Sequence, residues 1–193
     1  GRERHGFLSF NDIQSDYYQI PQSDLQKIKE EEEKDREELQ KESQKLEEAN
    51  VGGQSSTSNN IRSTKISWIT DKNILLTLKD KIFEINKNKN WNYDITDMFP
   101  FQYSVYHEND HYDWHVDVGS IHLGQKERKI SFSLILNDNY RGGELEFKDS
   151  NENMSLDLNK GDMVTFPSFL EHRVKPVLNG TRISLVGWML GPC

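Results

Sequence analysis

His115-Val116-Asp117 places an imidazole and a carboxylate two residues apart. Residues two apart share one face of a β-strand. Tyr112, Trp114, Val116 and Val118 alternate here with Asp113, His115 and Asp117. A strand over this segment turns His115 and Asp117 to one side and sends Val116 into apolar packing. Two such ligands from one strand can take adjacent positions on a metal ion, and a third must come from elsewhere in the fold. His172, at the start of a later strand after the Pro167-Ser168 turn, is the candidate.

Two histidines and one carboxylate with open positions make the facial triad that suits non-haem Fe(II) and O₂ chemistry. H-x-D by itself is weak, because the chain has six histidines. Arg182 adds to it. It lies ten residues after His172, where Arg182, Ser184, Val186 and Trp188 alternate with Ile183, Leu185 and Gly187. A guanidinium buried alone in an apolar strand is costly, and a bound carboxylate held bidentately would compensate it. The plainer reading is an arginine that snorkels to solvent or pairs with a nearby glutamate.

Taken in order, these residues resemble the Fe(II)/2-oxoglutarate-dependent dioxygenases, in particular the prolyl 4-hydroxylase-like group with its bacterial and phage PKHD-type members. The resemblance runs through Phe101–Tyr106, Tyr112–Asp117, Gly142–Phe147 and Lys160-Gly161-Asp162. It continues through Phe166-Pro167-Ser168 to His172, then Val174, Pro176-Val177, Gly180-Thr181-Arg182 and Trp188. The ordered set is specific where each piece alone is not.

The resemblance implies that His115, Asp117 and His172 hold Fe(II), and that Arg182 binds the distal carboxylate of 2-oxoglutarate. It matches Tyr106 to a tyrosine lining the cosubstrate pocket, and Trp188 to an aromatic near the iron. The implied activity is hydroxylation of a substrate C–H, with oxidative decarboxylation of 2-oxoglutarate to succinate and CO₂. A prolyl residue in a peptide or protein is the leading substrate; another residue or a small molecule is the alternative. O₂ is the co-reactant and ascorbate the reductant. Arg182 stands where collagen-type relatives usually carry lysine, which makes a collagen-like substrate doubtful.

The elements that must position these residues are legible in outline. After Pro100, many short strands separated by Asn137-Asp138-Asn139, Gly142-Gly143, Asn159-Lys160-Gly161 and Asn179-Gly180 predict an antiparallel β sandwich or barrel. Ile74, Leu78, Ile82 and Ile85 predict an amphipathic helix over Asp71–Lys89. Ser23 with Gln26 reads as a capping box that opens a charged helix. Residues 7–13 and 61–68 read as strands, and Val51–Asn60 as a mobile loop. The fold class is therefore α+β: a double-stranded β-helix (jelly-roll) core with N-terminal flanking helices. Residues 1–193 make one domain, with 1–99 mainly helical support and 100–193 the core carrying the site. The 50–60 loop and Gly119–Lys129 flank the mouth as lids or plain surface loops, with Arg62 beside the first.

Composition narrows the class further. The 193 residues carry 32 acidic and 24 basic side chains, a net charge of −8. Between Asp24 and Glu48 eleven acidic and six basic residues leave a net −5 in a solvated helix. Nothing here gives the basic face that nucleic acid requires, and no apolar run reaches the ~18 residues of a membrane helix. The single cysteine, Cys193, excludes an internal disulfide. With no apolar stretch behind Gly1–His5, this points to the cytoplasm. Oligomeric state is not legible. Two rivals stay open: a zinc site from His107, His111 and His115, spaced four apart as on a helix, and a jelly-roll binding protein without turnover.

Overall fold

The computed structural model describes residues 22–31, 33–34, 64–69, 72–119, 126–149 and 152–193. Residues 22–31 and 33–34 are helical (α1), and a second helix spans Lys72–Asn88 (α2). The strands are β1 Lys65–Ile69, β2 Asp97–Met98, β3 Phe101–Tyr106, β4 Tyr112–His115, β5 Lys126–Ile135 and β6 Tyr140–Gly142. They continue with β7 Leu145–Phe147, β8 Met154–Leu156, β9 Met163–Pro167, β10 His172–Val174, β11 Val177–Gly180 and β12 Arg182–Pro192. The major sheet runs β1-β3-β12-β5-β9, with β2 also paired to β12. A four-stranded sheet, β4-β10-β7-β8, and a ribbon, β11-β6, complete a double-stranded β-helix.

Each sheet face is chosen by alternation. The helix side of the major sheet packs Phe101, Tyr103, Ile130, Phe132, Leu134 and Leu185 against Ile74, Leu78, Ile82 and Ile85 of α2 and Leu25 and Ile28 of α1. A second cluster, including Phe147, Val164, Phe166 and Val174, fills the space near the minor sheet. The predicted apolar stripe of α2 is thus the stripe that packs. Among the described residues, no helix is long and apolar enough to cross a membrane.

Several local expectations change. The strand carrying His115 stops there, and Val116 is 39% exposed rather than packed. Hydrogen bonds from Asp117 N and Val118 N to Ser168 O take the chain out of the sheet. Ser23 lies within α1, where its hydroxyl meets Asp24 and Gln26 reaches forward to Glu30, so no capping box forms. Asn179-Gly180 ends a paired strand instead of forming a free turn. Gly180, at φ +83°, lets the main chain of Asn139 and Tyr140 approach closely. Lys126–Lys129 belong to β5, because Leu190–Pro192 continue to pair with them. Residues 7–13, the 50–60 loop, Arg62, His5, His122 and the acidic tract beyond residue 34 lie outside the described residues.

β12 is the spine, pairing β3 on one side and β5 on the other. At its middle, a Cβ on Gly187 would run into the Phe132 and Phe101 rings, which meet edge to face at 4.9 Å. The Gly187→Ala protein should lose about 1–3 kcal/mol through overpacking. Urea unfolding would show a lower midpoint with an unchanged slope; an unchanged midpoint would refute this packing.

Candidate active site

His172 opens β10 directly opposite His115, the last residue of β4. Cross-strand partners share a face, so the two rings meet with centroids 4.2 Å apart. Each ring is oriented in the same way. His115 Nδ1 lies 2.7 Å from Asp113 O, and His172 Nδ1 lies 2.8 Å from Leu170 O. A carbonyl only accepts, so each Nδ1 carries the proton and each Nε2 presents its lone pair. Tyr112 stacks on the His115 ring at 3.6 Å, and Phe166 packs edge-on to the buried His172.

Asp117 reaches the same point from the bend after β4. Its Oδ1 is 3.8 Å from His115 Nε2 and its Oδ2 is 3.7 Å from His172 Nε2. The three ligand atoms lie within 4.8 Å of one another, and His172 and Asp117 are buried. Two lone-pair imidazoles and a carboxylate, converging with one side open to a cavity, fit a divalent transition metal. The H-x-D spacing works through a strand residue followed by a bend residue rather than through one flat face. Among the described residues this is the cluster able to hold a metal. His107 and His111 flank a turn at Asn109, φ +69°, where His107 meets Thr181 and His111 meets the Asn109 carbonyl. Helical alignment of His107, His111 and His115 is therefore absent.

The triad opens into a cavity of about 270 Å³ that Tyr106, Arg182 and Trp188 also line. Arg182 is 1% exposed, neither snorkelling nor ion-paired with any described carboxylate. Its Nη1 donates to Ser184 Oγ at 2.7 Å, its guanidinium sits 5.5 Å from the Tyr106 ring centre, and its Nε has no partner. Gly143, at φ +69°, leaves room for it: a Cβ there would come within 2.8 Å of Arg182 Cδ. Tyr140 and Arg182 both also line a second cavity. Burial pushes the Tyr140 phenol above its ordinary value, with the Arg182 charge and hydrogen bond opposing.

Four contributors were not singled out from sequence. Arg128 lies 3.9 Å from the Trp188 ring centre and 3.9 Å from Asp117 Oδ1. Burial pulls its guanidinium below its ordinary value, and the Asp117 charge opposes this. Ser131 and Ser168 hold Asp117, and Tyr140 meets Arg182. The available signal was the hydroxyl alternation Ser131-Phe132-Ser133 inside an apolar strand. Nothing local marked Arg128, which stands in a run of charged residues.

Residues 101–190 match the family model described as the 2OG-Fe(II) oxygenase superfamily. A PKHD-type hydroxylase of Prochlorococcus marinus is 35% identical over 82 residues, covering 42% of this chain and 37% of that protein. Another, from Synechococcus, is 31% identical over 121 residues, covering 58% and 54%. The chain thus spans about half or less of the length of these curated relatives. The fold is similar to that of a Pseudomonas putida prolyl-4-hydroxylase, with TM-score 0.64, 19% identity and 92% and 91% of the two chains covered. It is also similar to a Trichoplax adhaerens prolyl hydroxylase in complex with a hypoxia inducible factor peptide fragment, with TM-score 0.65, 20% identity and 93% and 84% covered.

In an alkaline absorbance titration, Tyr140 should ionise later than an exposed tyrosine. A raised folded-state value means its contribution to stability is full below the unfolded value, about 10, and is lost as pH rises through the folded one. Tyr140→Phe should remove one late-titrating phenol. Retention of the full late phase would show that this ring is not the buried one.

Proposed function

We propose, taking residues 101–190 as a domain of the 2OG-Fe(II) oxygenase superfamily, that this chain hydroxylates a prolyl residue of a peptide or protein. It would use Fe(II), O₂ and 2-oxoglutarate. The observation that carries the reading is the cavity itself: a buried arginine without an acidic partner among the described residues shares it with a His-Asp-His set whose ligand atoms lie within 4.8 Å of one another. An anion would complete the first and a cation the second, and 2-oxoglutarate together with Fe(II) would answer both.

In this reading His115, Asp117 and His172 hold the iron. Arg182 and Ser184 take the distal carboxylate of the cosubstrate, and Tyr106 packs along it. The bound iron and cosubstrate supply the oxidising chemistry, in which O₂ delivers one oxygen atom to succinate as CO₂ leaves and the other to a substrate C–H bond. The chain's own residues orient and exclude water. The Asp113 and Leu170 carbonyls keep both imidazoles in the metal-binding tautomer. Tyr112, Phe166 and Trp188 form apolar walls against which a pyrrolidine ring can lie. Trp68, 43% exposed, joins that wall and gives a peptide apolar surface at the cavity. Similarity to prolyl hydroxylases, one of them peptide-bound, supports the prolyl peptide over a small molecule.

Anaerobic addition of Fe(II) and then 2-oxoglutarate should produce a weak visible charge-transfer band. Admitting O₂ with ascorbate, which keeps the iron ferrous, should yield succinate. Mass spectrometry of proline-containing peptides should then show gain of one oxygen atom. Absence of both band and succinate overturns the oxygenase reading, whereas succinate with no modified peptide overturns only the substrate. His115→Ala should abolish iron binding. Arg182→Ala should leave metal affinity intact and raise the 2-oxoglutarate requirement on the order of 100-fold, the cost of truncating one side of a buried charge pair.

A further inference from the structure

We propose that Ser131 and Ser168 are positioning residues that set the orientation of the Asp117 carboxylate toward the metal; this rests on reading His115, Asp117 and His172 as the ligands. Ser131 is fully buried in β5, between Ile130 and Phe132, with Trp188 of β12 and Phe166 of β9 as its strand partners. Its Oγ donates to Asp117 Oδ2 at 2.7 Å. A hydroxyl has one hydrogen, and an ionised carboxylate only accepts. The 2.9 Å contact between the two serines therefore has a fixed direction: Ser168 Oγ donates to Ser131 Oγ. The result is a two-step relay that ends on Asp117.

Ser168, 1% exposed, also holds the backbone of the bend. Its carbonyl accepts Asp117 N at 3.0 Å and Val118 N at 3.2 Å, while its own N donates to Lys129 O at 3.0 Å. The residue that ends the relay thus ties the Asp117 turn to β5, the strand that carries Ser131. Main chain and side chain of the ligand are fixed against one frame.

The need for this frame follows from Arg128. Its Nη1 is 3.9 Å from Asp117 Oδ1, the oxygen that Ser131 does not hold. Without the Ser131 hydroxyl, Arg128 is the charged partner left to turn the carboxylate away from the two imidazoles. A hydrogen bond from a fully buried donor is strong in low dielectric and has one geometry. It opposes that rotation without adding a competing charge.

Loss of a hydrogen-bonded neighbour that orients a ligand typically weakens metal affinity about 10- to 100-fold. Isothermal titration of the whole chain with Mn(II) should show that loss for Ser131→Ala. Ser168→Ala should lose less, roughly 2- to 10-fold, the size of one neutral hydrogen bond. The Co(II) absorption spectrum should change in Ser131→Ala, because ligand geometry changes even at saturating metal. A merely structural role would lower the metal-free melting temperature yet leave the affinity and Co(II) spectrum of the folded protein at wild-type values, and that result overturns the proposal. If the wild-type chain binds neither Mn(II) nor Co(II), the ligand reading falls and this inference with it. If wild type binds and Ser131→Ala binds equally, only the positioning role falls.

Discussion

The cross-strand pairing of His172 with His115 is the contact on which the site depends. Strand side chains alternate with period two, so a one-residue slip of β10 would turn His172 to the opposite face and leave two of the three candidate ligands together. Pairing of β10 on both edges opposes that slip. One edge matches His172 to His115 and Val174 to Tyr112, and the other matches His172 to Phe147 and Val174 to Leu145. Phe147 and Phe166 then pack around the His172 ring. Hydrophobic packing therefore sets the register, and the register assembles the polar site.

The other half of the cavity depends on room rather than register. Arg182 stands opposite Tyr106 in the β12–β3 pairing, and its stem passes where Gly143 offers no side chain. This gives Gly142-Gly143 a physical role that its turn-like composition does not announce. Gly142 lies against the Pro176 carbonyl and the Leu178 backbone, which brings the β6–β11 ribbon close. Gly143 then lets the next residues pass the guanidinium. An open backbone here, with two glycines in the left-handed region that glycine adopts freely, leaves the room for burying a long cation without an acidic partner.

Legibility in the sequence followed the range of the interactions. The α2 stripe and the run of short strands after Pro100 were readable, because period carries them; His115, Asp117, His172 and Arg182 stood out by residue type and by the family resemblance, and the fold brings all four to one cavity. The end of β4 was not. His115 to Val118 alternate as a strand would, but the hydrogen bonds to Ser168 that bend the chain come from some fifty residues away. The same distance hid Ser131 and Ser168, whose common residue type says nothing until β5 and the β9–β10 turn meet at Asp117. Arg128 was read as part of a loop. A strand that begins in charged residues shows no alternation, and only its pairing with Leu190 reveals it.

The distribution of unmet hydrogen-bonding capacity argues for a site completed from outside. Folded chains leave few buried polar groups unpaired, because each costs roughly 1–3 kcal/mol. In this fold the Nε atoms of Arg128 and Arg182 and the Nε1 of Trp188 are buried without partners, and all three residues line the cavity that holds the triad, whereas Thr165 Oγ1, also unpaired, belongs to a residue that does not line it. Donors on one wall and a His-Asp-His cluster on another together suit a ligand that is anionic at one end and metal-binding at the other. Such a ligand would stabilise the fold as it binds, by satisfying donors that the protein leaves unpaired. The net charge of the chain is thus a poor guide to its site, and Arg182, buried without an acidic partner among the described residues, is a better one.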